Sequence, residues 1–425
     1  MTSTDPHILD DLAWRGLIAQ STDLDALRAA MDAGPITFYV GFDPTAPSLH
    51  FGNLMQIITA ARFQRAGHRA LALVGGATGL IGDPKASSER SLNPPEVVAS
   101  WVAKIRAQIQ PYLNFDDPNP ATMVNNLDWT APMSAIELLR DIGKHFRVSK
   151  MLAKEAVSAR LQSEAGISYT EFSYQILQGM DFLELYRRHG CTLQTGGSDQ
   201  WGNLTAGIDL IHRVEGVGVH ALATPLLVKA DGTKFGKTET GTVWLDPDLT
   251  SPYAFYQVFF NSDDSKVVEY LKLLSARPRA EIEALAEAVA TRPGAREAQR
   301  ALAEELTTLV HGESACGQVL TASQALFGRG ELADLDESTL AAALTEAGLV
   351  EVADPVPTLA ELLRDTGLCK SLSDARRTVD EGGAYVNNVR AADADQPPAS
   401  DSLLFGGWLV VRRGRKSVAG VRVKR

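Results

Sequence analysis

One stretch restricts the folds open to this chain more than any other, the run ITFYVGFDPTAPSLHFGN from Ile36 to Asn53. Ile36, Phe38, Val40 and Phe42 alternate with other residues in a run rich in β-branched and aromatic types, which predicts a buried strand. Gly41, Asp43, Pro44, Pro47 and Ser48 break that strand into a loop. Phe51, Leu54, Met55 and Ile58 then recur at helical spacing, so a helix starts near His50–Gly52. A second apolar strand, Ala70–Val74, follows within about 35 residues, the span of one βαβ unit. His50 and Asn53 therefore sit at the positive N-terminal end of a crossover helix. In open α/β sheets that is where a nucleotide phosphate docks.

With 425 residues the chain is too long for one ordinary core, and two or three domains are expected. No run of about 18 uninterrupted apolar residues exists, so no membrane-spanning helix is predicted. The N-terminus is acidic and lacks the apolar core of a signal peptide, which points to the cytoplasm. Cys191, Cys316 and Cys369 are widely spaced, which argues against a disulfide framework and against the usual zinc spacings. The net charge of −11 is unevenly spread. Residues 358–425 carry twelve Lys and Arg against eight Asp and Glu, so this end is at +4 and the remainder at −15. A local basic surface of that kind binds phosphates while the rest of the chain repels them.

Further along, four glycines (Gly75, Gly76, Gly79, Gly82) follow the second strand and lead to Asp83, a pattern for close backbone approach. No GxxxxGK[ST] is present, which excludes a P-loop. Gly216-Val-Gly218-Val-His-Ala221 fits a dinucleotide fingerprint by letter but follows a helical stretch, so it is set aside. Residues 94–115 and 133–164 read as helical. In the second of these, Lys144, His145, Arg147, Lys150 and Lys154 form a basic cluster, either an RNA-facing surface or a solvated helix face. Phe172–Tyr186 reads as a helix that places Tyr174, Gln178 and Asp181 on one face. Such polar groups either satisfy one another in a core or line a pocket. Gly196-Gly-Ser-Asp199-Gln200 follows a short strand, Thr192–Gln194, and lacks the glycine after serine that a nucleophile elbow requires. Lys234-Phe-Gly-Lys237-Thr is a cationic loop able to close on phosphates. Residues 251–349 are Ala/Glu/Leu-rich and helical, Val352–Pro357 reads as a linker, and Arg376, Arg377, Arg412 and Arg413 lie in the basic C-terminal part.

Ser48-Leu-His50-Phe-Gly52-Asn53 resembles the HIGH signature of class I aminoacyl-tRNA synthetases, and Lys234–Thr238 resembles their KMSKS loop. Tyr39-Val-Gly-Phe-Asp43-Pro-Thr45-Ala resembles the tyrosyl members, and the C-terminal part resembles an S4 RNA-binding domain. The resemblance implies an α/β, Rossmann-like doubly wound catalytic domain (1–245), an all-α anticodon-side domain (246–350), a linker (351–357) and a small α+β S4-like domain (358–425). It implies activation of L-tyrosine by ATP and transfer of tyrosine to the 3′ end of tRNA(Tyr), with Mg²⁺ accompanying ATP and no dedicated protein metal site.

By the same resemblance, Thr45, His50, Lys234 and Lys237 act on the phosphates during catalysis. Asp43, Gly52, Asn53, Asp199 and Lys237 contact ATP. Tyr39 and Asp181 meet the phenol hydroxyl, Asp83, Tyr174 and Gln178 hold the ammonium, and Gln200 lies near the carboxylate. Arg376, Arg377, Arg412 and Arg413 contact tRNA. Relatives are homodimers, and no membrane partner is expected. A tryptophan-specific relative is disfavoured by Tyr39 and Asp181, since an indole has no hydroxyl to meet a carboxylate. A catalytically retired RNA-binding scaffold is disfavoured because His50, Lys234, Lys237, Asp83 and Asp181 are all present. Asn53 departs from the second motif histidine.

Overall fold

The computed structural model describes residues 7–85, 88–116, 118–164, 166–233, 235–238, 241–414 and 417–424. The chain divides into two compact units, one of residues 1–246 and 268–278, the other of residues 247–267 and 279–425.

The first unit is built on a six-stranded sheet: β1 (Gln20–Ser21), β2 (Thr37–Phe42), β3 (Arg69–Val74), β4 (Thr122–Asn125), β5 (Cys191–Gly197) and β6 (His220–Thr224). Their order is β1-β6-β5-β2-β3-β4. All pairs are parallel except β1 with β6. A separate antiparallel pair, β7 (Lys237–Thr238) with β8 (Gly241–Thr242), completes the strands of this unit among the described residues. The expected βαβ unit is present, with Phe51–Arg65 as its helix. That helix is buried almost all round rather than on one stripe, including Thr59, Arg62 and Gln64. A parallel strand needs cover on both faces, and β2 and β3 are accordingly near-continuous apolar runs.

From β2 the chain winds outward through β3 to β4, then returns on the helix Tyr169–His189 to β5 on the other side of β2. The strand order thus reverses between β2 and β5. Ligands of open α/β sheets bind at the carboxyl ends of the strands at such a reversal.

Several elements differ from the sequence reading. Residues 133–164 do not form one helix; they are broken into Ala135–Glu137, Leu138–Ile142, Gly143–His145, Val148–Leu152 and Glu155–Leu161. Strand β4 was not expected, being short and edge-placed. Gly216 ends the helix Trp201–Glu215 in the left-handed conformation (φ 71°), which accounts for the false dinucleotide fingerprint. Arg15 closes off the end of the segment 268–278, donating to the carbonyls of Lys272, Ser275 and Arg277 at 3.2, 3.0 and 2.9 Å.

The second unit contains the helices Pro252–Phe260, Arg279–Thr291, Glu297–Ala325 and Glu337–Gly348. Glu297–Ala325 is interrupted at Gly312, where φ is 88°. A five-stranded sheet follows in the order β11-β10-β12-β13-β9, with β9 at Leu349–Ala353, β10 at Ala384–Val386, β11 at Val389–Arg390, β12 at Trp408–Arg413 and β13 at Ser417–Lys424. Strand β9 pairs parallel with β13, so the segment expected as a linker begins inside this sheet. Leu359, Leu362, Leu363, Val379, Leu409, Val411 and Val421 form the core between the sheet and the helices Leu359–Asp365 and Leu372–Asp380.

Candidate functional site

A cavity of about 490 Å³ opens at the strand reversal in the first unit. It is lined by Tyr39 from β2, Asp43 and Thr45 from the loop beyond it, and His50, Gly52 and Asn53 from the mouth of the helix Phe51–Arg65. Asp83, then Tyr174, Gln178 and Asp181 from the helix Tyr169–His189, and Asp199 and Gln200 beyond β5 complete the set. Lys234 lies outside the described residues, and Lys237 is described by its backbone alone, in a short strand (Lys237–Thr238). The neighbouring Phe235 and Gly236 do line the cavity.

At the deep end stands Asp181, 2% exposed. Asn126 Nδ2 donates to its Oδ2 at 2.9 Å, and Trp129 Nε1 donates to its Oδ1 at 2.8 Å. Burial pushes the Asp181 carboxyl up to about 8, opposed by those two bonds. The Tyr39 hydroxyl is buried and has no hydrogen-bond partner among the described residues. Burial and the nearby Asp181 charge hold that phenol well above its ordinary titration range, so it remains a donor. A buried hydroxyl without a partner is costly to maintain, and its position on the cavity wall marks a place for a polar ligand atom. Gln178 Oε1 is likewise buried and without a partner.

Asp43 accepts hydrogen bonds from Tyr174 Oη and Thr78 Oγ1, both at 2.6 Å. Burial raises its carboxyl above the usual range, against those two donors. A Cβ at Gly75 would fall 2.2 Å from both Asp43 Oδ1 and Thr78 Oγ1, so glycine there makes room for this bond. Tyr174, expected with Asp83 and Gln178 to hold an ammonium, donates its hydroxyl hydrogen to Asp43 and keeps its oxygen as an acceptor. Asp83 instead meets Lys154, Gln200 and Asn203.

His50 occupies the N-cap position of its helix, and its backbone N–H donates to Asn53 Oδ1 at 3.1 Å. Asn53 therefore serves the helix start with its oxygen, in the manner of a capping box. A Cβ at Gly52 would meet the His50 ring at 2.9 Å, so the glycine is needed to seat that imidazole. The same helix mouth is joined to the lysine loop. Phe51 N–H donates to Val243 O at 3.0 Å, and Val243 N–H donates to Gly236 O at 2.9 Å.

Sequence reasoning missed Asn126, Trp129 and Thr78, since nothing in their own neighbourhoods marks them as partners of Asp181 and Asp43. It also gave no role to Arg90, whose Nε donates to the Asp83 carbonyl at 2.7 Å. The buried Arg160–Glu171 pair (2.9 Å) holds that segment in place: Glu171 accepts from Arg90 N–H at 2.6 Å, and Arg160 donates to Lys85 O at 3.3 Å.

The four arginines expected to meet RNA belong to the second unit. Arg376 and Arg377, on the helix Leu372–Asp380, pair with Asp395 and Asp374. Arg413 Nη1 and Nη2 donate to Asp374 at 3.0 and 3.1 Å. Arg412 does not face solvent: it is 6% exposed and its guanidinium lies 4.8 Å from the Tyr385 ring centre. Side chains alternate along β12, so Arg413 shares the face of Leu409 and Val411, toward the helices Leu359–Asp365 and Leu372–Asp380, whereas Arg412 shares the opposite face with Trp408 and Val410, which is buried as well.

Residues 31–328 match the family described as tRNA synthetases class I (W and Y), and residues 340–419 match the tyrosine–tRNA ligase SYY-like C-terminal domain. This chain belongs to the class I tyrosine–tRNA ligase family. It is 66% identical to the tyrosine–tRNA ligase of Streptomyces avermitilis over 417 residues, covering 98% of this chain and 99% of that one. It is 64% identical to that of Acidothermus cellulolyticus over 420 residues, with coverages of 98% and 99%. Among solved structures, a C-terminally truncated mitochondrial tyrosyl-tRNA synthetase of Coccidioides posadasii is 31% identical with a TM-score of 0.66, over 75% of this chain and 92% of that one. The tyrosyl-tRNA synthetase of Archaeoglobus fulgidus complexed with L-tyrosine shares the fold at 16% identity and a TM-score of 0.55, over 74% of this chain and 100% of that one. In this ligase the sheet reversal, the helix mouth at His50 and the segment at Gly236 meet at one cavity.

Proposed function

We propose that the cavity of this tyrosine–tRNA ligase activates L-tyrosine with ATP, releasing pyrophosphate, and then passes the tyrosyl group to the 3′ end of tRNA(Tyr). The observation that carries the residue-level reading is the meeting, in one 490 Å³ cavity, of an unpartnered phenol donor (Tyr39) and an oriented carboxyl (Asp181) with the mouth of the helix Phe51–Arg65. Tyr39 and Asp181 read the substrate hydroxyl, and Asp83 with Gln178 receives the ammonium. The tyrosine carboxylate attacks the α-phosphorus of ATP, and the bond to the pyrophosphate oxygen breaks. Charge then grows on pyrophosphate, and what the protein supplies is donors and cations already in place. The helix mouth offers its backbone N–H groups and dipole, Thr45 and His50 add side-chain donors, and Lys234 and Lys237 close from their loop. Asp199 holds the ribose. Mg²⁺ comes with the phosphates of ATP and lies outside the steps assigned to these side chains.

Phenylalanine is rejected because it would leave the buried Tyr39 hydroxyl without a partner and would offer Asp181 nothing beyond its bonds from Asn126 and Trp129. Tyrosine-dependent ATP–pyrophosphate exchange, run beside tryptophan and phenylalanine, tests the reading. Exchange with tyrosine alone is the expected result, and equal exchange with tryptophan would overturn the assignment of Tyr39 and Asp181.

The residues beyond the helix Glu337–Gly348 serve tRNA rather than adenylate chemistry, with Arg376 and Arg377 among the exposed cations of that part and Arg413 half-buried beside them. The protein works as a homodimer in the cytoplasm. The dimer reading is supported by Ile136, Leu139, Val148 and Tyr169, large apolar side chains of the first unit left exposed to solvent. No described helix is long and apolar enough to cross a membrane.

A further inference from the structure

Asp83 stands in the wall between two cavities. One is the cavity just described, and the other is larger, about 850 Å³, with Arg147, Lys150, Lys154 and Arg213 on its lining. Lys154 lines the larger cavity and reaches Asp83 from that side. Its Nζ donates to Asp83 Oδ1 at 2.9 Å and to Asn203 Oδ1 at 2.8 Å. The pair is largely withdrawn from water, at 12% exposure for Lys154 and 19% for Asp83. Asn203 Nδ2 donates to Gln200 Oε1 at 2.7 Å, and Gln200 Nε2 donates to Asp83 Oδ2 at 3.2 Å, so the carboxylate is held from both sides. The other lysine of this wall behaves differently: Lys150 pairs with Asp209 at the surface.

We propose that Lys154 is a resident placeholder for the substrate ammonium. It satisfies Asp83 while the amino-acid cavity is empty and withdraws when tyrosine brings its own ammonium. The inference rests on the reading of Asp83 as the ammonium site. Two ammonium groups at one mostly buried carboxylate repel each other, so they exchange rather than share. Lysine suits the exchange: it is a compact charge on a flexible four-carbon stem, and the larger cavity gives the stem room to retreat. The placeholder weakens tyrosine binding, because the ligand must displace it. It leaves a phenol lacking the amine unaffected, because Asp83 then keeps Lys154. Lys154 thereby sets how strongly the site responds to the amine, without touching the phenol end.

Equilibrium binding to the full-length protein of tyrosine and of 3-(4-hydroxyphenyl)propionate, which has no amine, tests both layers. Lys154→Met is expected to tighten tyrosine roughly tenfold while the propionate changes less than about twofold. Lys154→Arg, which keeps the charge on Asp83, stays near wild type for both ligands. Should the methionine variant fail to fold, Lys154→Gln takes its place, since an amide still donates to Asp83 without competing as a charge. Asp83→Asn is the control for the site reading, expected to weaken tyrosine selectively. If Asp83→Asn affects both ligands alike or neither, the ammonium assignment itself falls. If Asp83→Asn behaves as expected but Lys154→Met leaves the tyrosine-to-propionate ratio unchanged, the placeholder falls alone.

Discussion

Tyr174 donates its hydroxyl hydrogen to Asp43 across 2.6 Å, and Thr78 donates to the other oxygen of the same carboxylate at the same distance. A loop, the short helix Thr78–Ile81 and the helix Tyr169–His189 are fixed to one another through that acid. Removing one donor leaves a buried oxygen short of a partner, which costs about 1–3 kcal/mol. Tyr174→Phe is therefore expected to lower stability by that amount and to weaken tyrosine binding. Chemical denaturation and tyrosine titration measure the two effects. A variant with unchanged stability would show that Thr78 alone suffices.

Trp129 and Asn126 aim Asp181 without lining the cavity themselves. Trp129→Phe keeps much of the ring that lies against Arg188 but removes the indole donor. Tyrosine affinity is expected to fall roughly tenfold, the weight of one buried hydrogen bond. Affinity for phenylalanine, which offers no hydroxyl, should change much less. Comparing the two dissociation constants separates loss of aim from general damage to the pocket.

The Asp181 carboxyl titrates near 8 in the folded protein against an ordinary value of 3.8. Between those limits the folded state holds a proton that the unfolded chain has released. Stability from this group is therefore full at acid pH and is lost as pH rises toward 8. Asp181→Asn cannot titrate and escapes the loss. Its urea midpoint, relative to wild type without tyrosine, should rise steadily from pH 5 to pH 8. A constant offset over that range would contradict the burial-driven shift.

His50→Ala removes the imidazole at the helix mouth but retains the backbone bond to Asn53. Adenylate formation should slow by roughly one to two orders of magnitude, the usual effect of losing one transition-state donor. Tyrosine affinity should hardly move. Lys237→Ala is expected to show the same pattern. Unchanged pyrophosphate exchange in both variants would remove them from the chemistry.

Removal of residues 349–425 takes away the whole five-stranded sheet, whereas a cut after Asp354 would strand β9 without its partner β13. The shorter protein is expected to form adenylate at near the full-length rate and to fail in charging tRNA. Equal charging by both proteins would show that the C-terminal part is dispensable.

The first βαβ unit was readable because strand, loop and helix each leave strong local marks: alternation in Ile36–Phe42, prolines in the loop, and apolar spacing from Phe51 onward. Tyr174, Gln178 and Asp181 were readable as one face because helical spacing fixes it. The partners of those residues were not. Asn126 is fully buried, yet an asparagine after a short edge strand looks like any turn. Residues 133–164 have helical composition, but the extended Arg147 and Lys154 divide them, and such breaks depend on tertiary packing. Arg412 and Arg413 are adjacent cations in the sequence; Arg412 is buried because the face of β12 opposite Leu409 and Val411 is covered too, which only tertiary packing decides.

The backbone bonds from Phe51 to Val243 and from Val243 to Gly236 splice two distant stretches of chain into a single mechanical part. Gly236, next to Lys237 in the chain, is thereby anchored to the helix entrance at Phe51. Play at that entrance is then felt at Gly236. Loosening that joint should degrade grip on the departing pyrophosphate even with every side chain of the site intact.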